Sequence, residues 1–219
     1  GAIFVMNSRS LSPKSPTMVV GTTSDDGEDD SLRITEKYRA ARMAMERGEL
    51  RLAGTRFAEL LEDRKVQEPT RTWAGLEAVV VAMLDGRMFD ACKHAKAARD
   101  HIKQTHPVDE SEFQRTVLPI LNKLEQPAFI DLKEVDMGSE SSEINMAALI
   151  AGLKNWEQGG LDQAMPFFNA FESDLALAND HVLAGYLKVV KGYLGDHEKL
   201  KSPAYQTDPK TLEECRRSI

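Results

Sequence analysis

Aromatic residues make up only 6% of this 219-residue chain, and cysteine occurs twice, at Cys92 and Cys215. Few aromatics beside abundant Ala and Leu disfavour sandwiches and barrels and favour helices packed through small side chains. Two distant cysteines with no CxxC exclude a disulfide-stapled secreted scaffold and leave the redox compartment open. Positive charge is in deficit: a formal net charge of −7 argues against non-specific nucleic-acid binding, which needs a basic face to displace counterions. The motifs of common chemistries are missing as well. No HExxH, GxSxG, phosphate-cradling glycine loop or dinucleotide fingerprint occurs, so no catalytic residue and no cofactor is assigned.

What is present is a recurring punctuation. Gly48-Glu-Leu-Arg-Leu-Ala53 returns as Gly86-Arg-Met-Phe-Asp-Ala91 and as Gly159-Gly-Leu-Asp-Gln-Ala164. In each copy a helical pattern runs up to the glycine and another begins after it. Four residues beyond the Ala come Phe57, Ala95 and Phe168; seven beyond it come Leu60, Ala98 and Phe171. Glycine tolerates the positive φ of a turn between antiparallel helices. A small residue then lets the second helix cross the first, and apolar residues three and four positions on continue the same face. The pattern predicts helical hairpins. Gly86 follows Gly48 by 38 residues, Gly159 follows Gly86 by 73, about two periods, and Gly195 follows Gly159 by 36, which marks a weak fourth copy.

The chain begins at Gly1, and Ala2 to Met6 is an apolar run far below the roughly 20 residues of a membrane span. It reads either as a frayed end or as the last turn of an anchor. Residues 1–31 read as a flexible acidic linker, with Met18-Val19-Val20 as an apolar island and Asp25 to Asp30 as a solvated charge run. Such a coil has a reach of roughly 27 Å. The domain expected from 32 to 219 starts with a helix between Ser31 and Arg47. A partner from Leu50 to Arg64 buries Leu52, Ala53, Phe57, Leu60 and Leu61. After Glu68-Pro69-Thr70 comes Trp73 to Leu84, apolar nearly all round and so expected in the middle of the assembly. A helix from Phe89 to Gln104 follows. Asp109 with Glu112 reads as a capping pair ahead of a stripe from Phe113 to Leu124, kinked at Pro119. No period survives from Gln126 to Glu140. Ser141 or Ser142 opens the next helix, whose partner carries Ala164, Phe167, Phe168, Phe171 and Leu175. A helix from Asp180 and a short capping helix from Pro209 close the chain.

His94, His101 and His106 lie on or just after one helix, and without a carboxylate pattern they read as solvated side chains; no metal is assigned. Cys92 reads as a core residue rather than a nucleophile.

The small residue seven before each turn glycine (Ala41, Val79, Gly152), the glycine itself, and the Ala and aromatic at fixed offsets resemble tetratricopeptide (TPR) repeats from about Leu32 to Leu200. The spacings exceed that family's roughly 34 residues, and its usual Trp, Leu-Gly and Tyr are largely absent. The resemblance implies an all-α, right-handed α-α superhelix that binds a protein or peptide in a groove lined by the first helix of each pair. On this chain the groove would hold Tyr38, Arg42, Trp73, Leu76, Met146, Leu149 and Trp156. The Lys and Asn set that grips a C-terminal carboxylate is missing. An upstream anchor would place the domain in a bacterial periplasm or envelope, and without one it would be cytoplasmic. Two rivals stand beside the scaffold reading: a helical accessory segment of a larger enzyme, and a self-assembling homo-oligomeric module.

Overall fold

Each of the three predicted hinge glycines adopts positive φ: 75° at Gly48, 69° at Gly86 and 77° at Gly159. In the computed structural model of the chain, which describes residues 25–108, 110–135 and 141–178, the three turns also share one hydrogen-bond pattern. The glycine N–H donates to the carbonyl three residues back (Met45, Met83, Trp156; 3.0, 3.0 and 2.9 Å), and the next N–H to the carbonyl five back (Ala44, Ala82, Asn155; 2.9, 2.9 and 2.8 Å). This double bond closes the otherwise unpaired carbonyls of a helix end. The repeat alanines Ala53, Ala91 and Ala164 then donate to the carbonyls of Glu49, Arg87 and Gly160, all at 2.9 Å, which starts the second helix.

The helices so joined are α1 (Asp25–Glu46) with α2 (Leu50–Glu62), α3 (Thr70–Leu84) with α4 (Met88–Thr105), and α6 (Ser142–Glu157) with α7 (Leu161–Ala178). A single π-helical turn (Phe113–Val117), the short α5 (Leu118–Lys123) and a 3-10 turn (Leu132–Glu134) lie between the second and third pairs. Among the described residues there is no strand, and the fold is all-α.

Several boundaries differ from expectation. α1 starts at Asp25, six residues ahead of Ser31, so the acidic run is helical rather than linker. Acids are stabilising where the helix N-terminus presents unpaired N–H groups. Pro119 lies, as expected, inside an unbroken helical run over residues 112–123, two residues past the π turn, a feature by which helices accommodate an irregular backbone bond. Ser141 caps α6 as expected, its hydroxyl accepting from the Ile144 N–H at 3.1 Å. Asp109, the side chains of Phe171 and Leu175, the segment before Asp25 and the elements expected beyond Ala178 fall outside the described residues.

The core runs along the hairpin interiors. Ala41, Ala53, Phe57, Val79, Ala91, Ala164, Phe167 and Phe168 are buried. Gly152 is where α7 crosses α6: a Cβ there would lie 2.9 Å from the Phe168 ring, so the close approach depends on having none. α2 packs between α1 and α3, and α3 touches α2, α4 and α6. Every residue of α3 from Thr72 to Met83 is buried, as its all-round apolar pattern requires. Leu52, expected inside, is 40% exposed. It lies on the far side of α2 from the stripe of Leu50, Ala53, Phe57, Leu60 and Leu61.

Within the double spacing between Gly86 and Gly159, where the period leaves room for one more hairpin, the chain is tied down by side chains instead. Asn155 accepts from the Ile130 N–H and donates to the Ile130 carbonyl, both at 2.9 Å. Lys154, wholly buried, donates to the Ala128 carbonyl at 2.5 Å and to Gln158 Oε1 at 3.0 Å. Burial pushes its ammonium below the usual lysine range. Phe129 lies against Gly160, where its ring leaves no room for a Cβ.

Candidate functional site

Five of the seven expected groove residues are placed in the interior, which corrects their assignment as a partner surface, while Arg42 and Trp156 are part-buried. Leu76, Met146 and Leu149 are fully buried, Tyr38 and Trp73 nearly so, and Trp156 is half-buried against the same core. The reason is the direct contact of α3 with α6. These two first helices, which would flank an open concave face, cover each other.

Two of the seven do meet in a polar site. Tyr38 Oη donates to Glu77 Oε1 at 2.8 Å, and Arg42 Nη1 lies 3.6 Å from Glu77 Oε2. Glu77 is fully buried in the middle of α3, so an acid inside an apolar helix is matched by a phenol and a guanidinium from α1. Burial and the neighbouring Glu77 hold the Tyr38 hydroxyl well above its usual range. The Tyr38 ring packs edge-on against Phe57, with centroids 5.6 Å apart. The arrangement fixes the register of α1 on α3 rather than presenting a surface.

A second polar cluster brings residues 68–73 together with 101–106 and the π turn. Glu68, before α3, receives His101 Nε2 on Oε1 at 2.5 Å and the Thr72 hydroxyl on Oε2 at 2.7 Å. The Thr72 backbone N–H reaches the same Oε2 at 3.3 Å, so Glu68 does the capping that Pro69 cannot. His106 Nε2 lies 2.8 Å from Thr72 Oγ1, and its ring stacks at a tilt on Phe113, 4.8 Å away. Phe113 in turn meets Trp73 edge-on at 5.1 Å. Burial opposes the Glu68 carboxylate, but hydrogen bonds from Thr72 and His101 outweigh it and hold its pKa below the usual value. Burial also lowers His106, against the pull of Glu68.

His101 is therefore buried and His106 part-buried, both held by polar partners rather than solvated. His94 sits among Asp90, Lys93, Arg87 and Glu62, its pKa lowered by burial. Among the described residues no trio of His, Cys, Asp or Glu is arranged to hold a metal ion. Nothing in the sequence flagged Glu68 as their partner, because it lies 33 positions from His101 and 38 from His106.

Among the described residues the large exposed apolar side chains are Leu32, Met43, Leu52, Phe89, Val108, Phe129 and Leu132. Phe89 is 85% exposed on the first turn of α4, opposite the stripe of Ala91, Ala95, Ala98 and Ile102. Leu52 has the same outward setting on the first turn of α2 and lines an open depression of about 670 Å³ with Gly48, Glu49, Arg51, Thr55 and Asp85. Neighbouring hinges are thus side by side, and Arg87 is paired within its own. It pairs with Asp85 and Asp90, both at 2.5 Å, and its Nη2 reaches to 3.6 Å from where a Cβ on Gly54 would be. Among the described residues no helix is long and apolar enough to cross a membrane. Comparison of the chain with protein families, with curated proteins and with solved structures found no match.

Proposed function

We propose that the domain is a non-catalytic protein–protein interaction scaffold of TPR-like hairpins wound as a right-handed α-α superhelix, taking its partner along the hinge edge. The observation that carries this is Phe89, a large ring left in water at the first turn of α4. Covering such a side chain is worth about 1.5–3 kcal/mol, enough for it to anchor a contact. Leu52 and the depression beside it add apolar surface, and Glu49, Arg51 and Asp85 supply a mixed-charge rim of the kind that surrounds an interface core.

The partner is a protein or peptide rather than nucleic acid, given the acidic balance of the chain. The burial of Tyr38, Trp73, Leu76, Met146 and Leu149 argues for the outer edge and against the first-helix face as the docking surface. An N-terminal tether to a bacterial envelope belongs to the same proposal, with a cytoplasmic location as its rival.

The test is a pulldown from source-cell extract with the immobilised full chain and with its Leu52→Ser, Phe89→Ser variant. Loss of the recovered partner at unchanged circular dichroism is the expected result. Equal recovery by both forms overturns the hinge edge as the site.

A further inference from the structure

Phe89 is not alone on the outward side of α4. Positions four, seven, eleven and fourteen after it share its face of the helix, and they carry Lys93, Lys96, Asp100 and Lys103, all exposed. The buried stripe of Ala91, Ala95, Ala98 and Ile102 lies on the opposite side. In a chain whose formal net charge is −7, this face therefore sets three cations against one carboxylate. Other lysines are used within the fold: Lys37 holds Asp63, Lys65 holds Asp30 and Lys123 holds Glu134. Among the described residues Lys93, Lys96 and Lys103 hold no carboxylate. Lys93 and Lys96 are moreover like charges three positions apart, an arrangement that costs helix stability rather than adding to it.

We propose that the outer face of α4 is a docking strip for an acidic amphipathic helix of a partner protein, with Phe89 taking an apolar side chain and Lys93, Lys96 and Lys103 pairing with carboxylates. This rests on the scaffold reading above and gives that partner its chemistry. From Phe89 to Lys103 the strip runs about 21 Å along the helix axis, the length of four turns laid beside it. Carboxylates three and four positions apart on the partner meet the lysines in turn, and an apolar residue at one end covers a ring that now stands in water. The opposite charges also steer the two helices together.

An anionic membrane is the other surface that a ring beside lysines could meet. A membrane is a plane of charge, so it would face Glu49 and Asp85 of the adjoining depression together with the lysines, against the acidic balance of the whole chain. A single helix covers the row without them.

The test is a selection from displayed random peptides of about 16 residues, made against the immobilised full chain at about 50 mM salt, where surface charge is weakly screened. Enriched sequences should be acidic, with an apolar residue at helical spacing from the carboxylates. A synthetic copy of the most enriched peptide should then bind at least about ten-fold more weakly to the Lys93→Glu, Lys96→Glu, Lys103→Glu variant. Gln at the same three positions removes the charge without reversing it and should lose a smaller factor at unchanged circular dichroism. Neutral or basic enriched sequences, no enrichment, or equal affinity of that peptide for wild type and both lysine variants overturns the proposal. If Phe89→Ser abolishes binding while the lysine variants leave it intact, the hinge edge stands and the acidic partner falls. Loss on lysine reversal with none on Phe89→Ser keeps the charged row and overturns Phe89 as its anchor, and the hinge edge with it. Binding of phosphatidylserine vesicles that the lysine variants abolish and the peptide does not compete assigns the face to a membrane, and a dimer in sedimentation that the same variants dissolve assigns it to a second copy; either overturns the proposal.

Discussion

Phe57 and Phe168 fill two hairpin interiors with no exposure beyond 1%. Replacing either by Ala removes a ring that its neighbours cannot easily collapse around, so Phe57→Ala should lose about 3–5 kcal/mol in urea unfolding. Phe89→Ala, a change of the same chemistry in water, should stay within about 0.5 kcal/mol. Equal losses at the two positions would mean that their placement is wrong. Tyr38→Phe is the polar counterpart. It removes the donor to a fully buried acid, and an expected cost of about 1–3 kcal/mol separates a buried polar contact from a surface one. At this scale the sequence was legible only in part. A stripe of apolar positions says which face of a helix is covered, and Phe57, Ala91 and Phe168 were placed on that basis. It does not say what covers a helix that is apolar all round, so Leu76, Met146 and Leu149 could be set in a groove that α3 and α6 in fact close between them. Glu68 was illegible for a different reason, since its histidine partners come from the far end of the hairpin that follows it and carry no local spacing.

The three hinges are one device used three times, and they should respond alike. At Gly48, Gly86 and Gly159 a Cβ would meet nothing within 4 Å, so the cost of Ala there is that of positive φ alone. About 1 kcal/mol is expected at each site, with Asn less costly than Ala because it tolerates the left-handed region. Gly152→Ala tests the opposite case. Its backbone is ordinary helix and its trouble is the Phe168 ring at 2.9 Å, so about 1–3 kcal/mol of overpacking replaces backbone strain. Thermal unfolding of the four variants distinguishes the two mechanisms through the double substitution Gly152→Ala, Phe168→Leu. A smaller ring should recover part of the loss at Gly152, and the same ring change should do nothing for Gly48→Ala. These hinges were readable in advance because turn geometry is local, written within six residues. The segment from Gln126 to Val135 was not, because Asn155 and Lys154 hold it from a distance.

Stacked hairpins can unfold one at a time when each meets only its neighbour. In this molecule α3 contacts α2, α4 and α6, so the second hairpin is joined to both others, and the contact between α3 and α6 bypasses the irregular segment between them. The described body should therefore lose its structure in one step. Two tryptophans allow a direct check, because they sit on different units: Trp73 at the start of α3 against Phe113, and Trp156 near the end of α6. With Trp156→Phe the fluorescence reports the second hairpin, and with Trp73→Phe it reports the third. After correction for any shift that each substitution causes in far-ultraviolet circular dichroism, both emissions should give the same urea midpoint as the helical signal. Separate midpoints would show that α3 and α6 are not energetically joined. The first-helix face would then open at intermediate urea, and Leu76, Met146 and Leu149 would regain the accessibility that a groove requires.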